Sequence, residues 1–146
     1  MGSDELVVVS SCAQTGGAIF AALVRMPPGG GPPVMHRHAP GEIYHVLEGE
    51  FAFYVGRDDG TVVRVAVPAG HVMPLAGGTP HTIRNESDAD AVAFMVHAPG
   101  EAMEGFSRAA AALAASGEPS MSAVMEIAEE YGIEMLGPVP EPVSRG

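Results

Sequence analysis

The sequence predicts an all-β sandwich or barrel followed by a helical tail, and three observations carry that reading. Short segments rich in Val, Ile, Phe and Tyr recur from residue 6 to residue 97, and most of them are bounded by Gly-, Pro- or Asp-containing turns. After Pro99-Gly100 the composition shifts to runs of strong helix formers.

In chain order, the segments with strand character are Leu6 to Ser10, Ile19 to Met26, Ile43 to Leu47, Phe51 to Val55, Val62 to Val67, Val72 to Leu75, His81 to Asn85 and Ala91 to His97. The breaks between them are turn-forming: 27–33 is Pro-Pro-Gly-Gly-Gly-Pro-Pro, and Gly49, Asp58-Asp59-Gly60, Gly70 and Gly77-Gly78 follow. Asp59-Gly60 is the clearest hairpin signal, because such a turn needs residues that tolerate positive φ. In the tail, Ala109 to Ala115 reads as a helix stopped by Ser116-Gly117-Glu118-Pro119. A second helix is expected from Met121 to Tyr131, with Ser120 as N-cap and Gly132 as C-cap. Its stripe Met121, Val124, Met125 and Ala128 should pack on the β body. The proline-rich end, Gly137 to Pro142, reads as a loose extended terminus. Residues 1–98 are therefore read as a β body and residues 99–146 as a tail packing on the same domain.

Composition limits what this body does. The 146 residues are 47% hydrophobic and 17% charged, which suits one globular domain able to bury a core. A formal charge of −11 without a Lys/Arg cluster repels phosphate backbones and anionic membranes, so neither nucleic acid nor membrane is expected as a partner. No apolar run is long enough to span a bilayer. A lone Cys12 forms no internal disulfide, and the start Met1-Gly2-Ser3-Asp4-Glu5 has neither a basic nor an apolar leader pattern; a reducing cytoplasm is the expected compartment.

The chemistry concentrates in His36, His38 and Glu42, joined by His81 from a later segment. If one strand runs through the first three, their even spacing puts them on one face. Three neutral imidazoles and one carboxylate suit a single divalent transition ion, Fe, Mn, Ni, Cu, Co or Zn, and an octahedral ion would keep two positions open. Glu42 is either a ligand or, if released, a general base toward substrate. Arg37 and His45 have the opposite parity and should face away. His71 and His97 read as exposed or core-satisfied histidines, Cys12 as a small buried hydrophobe, Tyr44 as cavity lining or core, and Met35 and Met73 as core filling.

These residues also carry a resemblance. Gly30-(five residues)-His36-Arg37-His38-(three)-Glu42-(six)-Gly49 resembles the first cupin motif at every position. Gly70-(five)-Ala76-Gly77-Gly78-(two)-His81-(three)-Asn85 resembles the second, with Ala76 where a proline is usual. Tyr131 to Pro138 is similar to the C-terminal extension of some bacterial quercetin-dioxygenase-like cupins. The resemblance implies a cupin double-stranded β-helix, an antiparallel jelly-roll barrel, here with a C-terminal helical extension. It also implies metal ligands at His36, His38, Glu42 and His81, and structural roles for Gly49, Gly78 and Asn85. Three functions are open: a dioxygenase-like oxidoreductase acting on a small organic substrate, a non-redox isomerase or lyase, and a binding or sensing module without catalysis. Apolar residues on both faces of the segment holding Ile43 and Leu47 predict a homodimer through sheet packing.

Overall fold

The computed structural model describes residues 4–117 and 119–143. Met1 to Ser3, part of the leader reading, and Glu118 of the interhelical stop lie outside them. Besides a short 3-10 helix at Cys12–Thr15, ten strands and two α-helices run in the order β1 Glu5–Ser10, β2 Phe20–Met26, β3 Val34–Arg37, β4 Gly41–Glu48, β5 Glu50–Gly56, β6 Val62–Pro68, β7 Val72–Leu75, β8 His81–Arg84, β9 Ala91–Ala98, α1 Glu101–Ala115, α2 Met121–Glu130 and β10 Glu134–Pro138. The strands form two five-stranded sheets of order β1-β2-β9-β4-β7 and β10-β3-β8-β5-β6, and the named strand pairs are antiparallel. This is the jelly-roll arrangement with a helical pair near its C-terminus.

The two-residue period of the strands assigns the faces. Phe51 and Phe53 of β5, Tyr44 and Val46 of β4, Ile83 of β8, and Phe20 and Ala22 of β2 point between the sheets and form the main core. Phe53 has no exposed surface, and burying such a ring contributes about 1.5–3 kcal/mol. The hairpin between β5 and β6 turns at Asp59-Gly60 as the sequence predicts, with Gly60 at φ +85° and Thr61 N–H donating to Asp59 Oδ1 at 2.9 Å. Asn85 closes β8: its Nδ2 donates to the carbonyls of Met26 (2.8 Å) and Ala89 (2.7 Å), while its Oδ1 accepts from Ser87.

The tail departs from the sequence reading in three ways. Helix α1 begins at Glu101, well before the alanine run, because Glu104 accepts from the Cys12 N–H at 2.6 Å and Met103 packs on the core. Helix α2 is capped by Ser120 as expected, yet only Val124 and Ala128 of the predicted stripe are buried; Met121 and Met125 are exposed. It rests chiefly on α1 and β10, and Gly105 of α1 makes room for the Tyr131 ring, which a Cβ there would overlap.

The proline-rich end is not loose. Glu134–Pro138 pairs with β3 as a tenth strand, with register partners Glu134↔Arg37 and Met135↔His36. Arg37 clamps Glu134 from outside through Nε (2.9 Å) and Nη2 (3.2 Å). The chain then crosses the outer face of its sheet. Val139 packs on Met35, Ala52, Tyr54 and Val62, and the Val143 N–H donates to the Val62 carbonyl at 2.8 Å on the opposite edge strand. A proline-rich segment suits this role, since a strap on a sheet edge needs few donors of its own.

Candidate metal centre

His36, His38 and Glu42 do not lie on one strand. Strand β3 ends at Arg37, the chain turns through His38-Ala39-Pro40, and β4 starts at Gly41 in the other sheet. The three side chains converge across the crossing between sheets, so their even spacing gives the right grouping for a different reason. His81 at the start of β8 is the register partner of His36. The structure thus brings together all four residues singled out from the sequence. His38, Glu42 and His81 are 5%, 5% and 2% exposed, whereas His36 is half-buried and marks the open side.

The imidazoles are oriented from behind. His38 Nδ1 lies 3.0 Å from the Pro40 carbonyl, His81 Nδ1 2.8 Å from the Thr79 carbonyl, and His36 Nδ1 3.5 Å from the Val34 carbonyl. A carbonyl accepts only if Nδ1 carries the proton, so in the neutral form of each ring the Nε2 lone pair faces inward. Metal-binding histidines are held in this way by partners outside the ligand set. One ligating atom from each of His36, His38 and His81 falls within 4.8 Å of the other two. The Nε2 of His38 is buried with no hydrogen-bond partner and stands 3.8 Å from Glu42 Oε1, while His81 Nε2 contacts that same oxygen directly. Buried, converging lone pairs beside a carboxylate are a donor set that a divalent transition ion satisfies.

A fifth residue belongs to the cluster. His97 of β9 is the register partner of Glu42 and is 2% exposed, and its Nε2 contacts Glu42 Oε2. With His38 and Glu42 it forms a second group whose ligating atoms lie within 4.8 Å of one another. The sequence reading left His97 as exposed or core-satisfied. The signal that places it here is strand pairing, which puts Glu42 and His97 side by side and has no counterpart in motif spacing.

The electrostatics follow from burial. Burial lowers the His36 imidazole to about 4, helped by neighbouring His81, and lowers His38 in the same direction. Both are neutral near pH 7, as ligands must be. Burial alone would raise Glu42, but hydrogen bonds from His81 and His97 outweigh it and hold the carboxyl well below its usual range. Burial likewise opposes charge on His81, and Glu42 overrides it, so His81 is raised. The Tyr44 hydroxyl donates to Glu42 Oε2 at 3.4 Å, and burial with the Glu42 charge raises it.

Other residues from the sequence reading fall where parity puts them. Arg37 and His45 face outward, His71 is exposed, Cys12 is buried and Tyr44 faces the cluster. Met73 packs on the core; Met35 faces the tail on the outer side and lines nothing near the histidines. Met125 and Met135 line a cavity of about 580 Å³ between α2 and β10 that also meets Glu126, Glu129 and Ile133. Met135 is the register partner of His36.

Comparison with known proteins decides the family. The cupin domain profile matches residues 22–97, which contain all five clustered residues. This chain belongs to the cupin family. No curated protein matches this cupin in sequence. Among solved structures it is similar to a protein of Thermus thermophilus, with TM-score 0.56 and 24% identity over 67% of this chain and 85% of that one. It is also similar to a predicted oxalate decarboxylase from Thermotoga maritima, with TM-score 0.55 and 26% identity over 65% and 79% of the two chains. A sugar phosphate isomerase of the cupin superfamily from Silicibacter pomeroyi gives TM-score 0.55 and 22% identity over 67% and 60%. Among the described residues of this cupin, no helix is long and apolar enough to cross a membrane.

Proposed function

We propose that this cupin is a metal-dependent enzyme of the dioxygenase-like kind, acting on a small organic substrate at a mononuclear centre held by His36, His38, His81 and Glu42. The observation that carries the reading is the set of backbone carbonyls behind the three imidazoles, which turns three Nε2 atoms toward one point. The ion, one of Fe, Mn, Ni, Cu, Co or Zn, would supply Lewis acidity or redox chemistry at its open positions. The protein's own contribution is to hold the site dry on the side of His38, Glu42 and His81 and to leave it approachable past His36. In this reading the tail, residues 99–146, works as one unit with the barrel, residues 1–98, because Met135 of the tail is the register partner of His36.

Glu42 serves as a ligand in this account. Its hydrogen bonds keep it ionised, which suits coordination and makes it a weak proton acceptor unless it leaves those partners. Oxygen consumption by the metal-loaded protein, screened over small phenols, enols and diketones, tests the dioxygenase-like reading. Turnover that continues under strict anaerobiosis would contradict it. Glu42→Gln separates the roles of the carboxylate: turnover unchanged after correction for metal content rules out the base.

A second reading is non-redox lyase or isomerase chemistry, supported by the 26% identity to the Thermotoga maritima protein described as a predicted oxalate decarboxylase. Release of carbon dioxide from a small carboxylate without net oxygen uptake would favour it. Saturable ligand binding with no turnover would instead favour a sensing module. We further propose a homodimer, because Val7, Ile43, Leu47 and Val72 leave the outer face of the β1–β7 sheet apolar and 60%, 46%, 44% and 52% exposed.

A further inference from the structure

We propose that His97 is a positioning residue for Glu42: its Nε2–H holds Oε2, so that Oε1 is the oxygen offered to the ion among His36, His38 and His81. The inference rests on the metal-centre reading above and assigns His97 a place just outside the ligand set.

Two roles compete for this ring. His97 is close enough to His38 and Glu42 to serve as a direct ligand. Its surroundings separate it from the other three histidines. Each of those has Nδ1 facing a backbone carbonyl, which places a proton there and leaves Nε2 as the nitrogen available to an ion. The Nδ1 of His97 is buried and has no partner, and its Nε2 contacts a carboxylate oxygen. With no carbonyl to take a proton from Nδ1, the Nε2–H tautomer is the one that gives this ring a partner, and it makes the ring a donor to Glu42 Oε2. A ring in that tautomer has no lone pair on the atom nearest the cluster.

The ring is also fixed in place. Phe20 lies nearly parallel to it with centroids 6.1 Å apart, Tyr44 meets it edge-on at 6.5 Å, and strand register sets its backbone opposite Glu42. Oε2 is thereby claimed from two sides, by His97 and by the Tyr44 hydroxyl at 3.4 Å. Oε1 has only His81 in contact and His38 at 3.8 Å. The carboxylate is asymmetric: one oxygen belongs to its supports and the other faces the imidazoles.

The test uses the full chain and needs no variant for its first arm. Long-range proton–nitrogen NMR of the Zn²⁺-loaded wild type is expected to show the Nδ1–H tautomer for His36, His38 and His81 with metal on Nε2, and the Nε2–H tautomer for His97. A metal-bound or Nδ1-protonated His97 overturns the proposal. In the second arm, Co²⁺ titration of His97→Asn and His97→Leu should show affinity about 10- to 100-fold weaker than wild type and an altered Co²⁺ absorption spectrum. His97→Gln, which returns a donor near the Nε2 position, should restore much of both. Unchanged affinity and spectrum in His97→Leu would overturn the proposal while leaving the four-ligand centre standing. A wild type that takes up neither Zn²⁺ nor Co²⁺ would overturn both readings together.

Discussion

His36 and Met135 face each other across the pairing of β3 with β10. The strand that carries one of the clustered imidazoles is therefore held on its outer edge by the last strand of the chain. Its inner edge pairs with β8 only at His36↔His81. Between them, two short contacts set the position of His36, one from the barrel and one from the tail.

Loosening the strap should then be felt at the metal site. Val139 packs on Met35 of β3 and on Ala52, Tyr54 and Val62. Val139→Asp places a charge against that apolar patch and should lower stability by about 1–3 kcal/mol. Urea unfolding measures the loss, and a Zn²⁺ titration of the same variant should show weaker binding. Unchanged stability and affinity would mean that the strap is passive.

Asn85 supports the barrel without touching the cluster. Asn85→Ala removes the donors to Met26 and Ala89 and the acceptor for Ser87, taking away the side-chain donor to the buried Met26 carbonyl. Urea denaturation should report a loss of about 1–3 kcal/mol, with metal affinity unchanged.

The contrast between these two positions explains what the sequence made legible. Asn85 and the four clustered ligand-type residues belong to motifs of fixed spacing, so spacing alone picks them out. The β-rich body was legible because period-two patterning survives wherever one face is buried, as in Phe51 and Phe53. Strand β3 was hidden because Val34–Arg37 is only four residues long between a proline-rich loop and a turn, and β10 because Gly137 and Pro138 disguise it. His97 was missed since its partnership with Glu42 arises from pairing between strands distant in sequence. The exposed Met121 and Met125 show the limit of a helical stripe: periodicity reveals a face, and tertiary packing on α1 and β10 decides how much of it is covered.

The metal-free protein should lose stability in acid. Burial lowers His36 to about 4 from an ordinary 6.5, and lowers His38 too, so the unfolded chain takes up protons that the fold resists. Stability then falls as pH drops from 6.5 towards 4. His81 has the opposite sign: raised by Glu42, it contributes fully below 6.5 and fades as pH rises through its own higher value. Urea midpoints of chelator-treated protein should decline from pH 6.5 to pH 4, and His36→Asn should flatten the decline. A midpoint that rises over this interval would contradict the assignment.

The outer face of the β1–β7 sheet makes a prediction about assembly. Ile43 is the register partner of Val96, which in turn pairs with Ala21, giving an apolar row across three strands. Sedimentation should find a dimer, and Ile43→Glu should shift it to monomer by placing a charge in that row. A wild type that stays monomeric at every concentration would refute the dimer.

The central claim is that His36, His38, His81 and Glu42 hold one divalent ion, and elemental analysis by plasma mass spectrometry tests it most directly. Purified, tag-free protein should carry about one transition ion per chain or acquire it on incubation, as the ligand set requires. His38→Ala should lose it, while His45→Ala, altering an imidazole on the outward face, should keep it. A wild type that binds none of Fe, Mn, Ni, Cu, Co or Zn after incubation with each, or a His38→Ala variant that retains a full complement, would contradict the account.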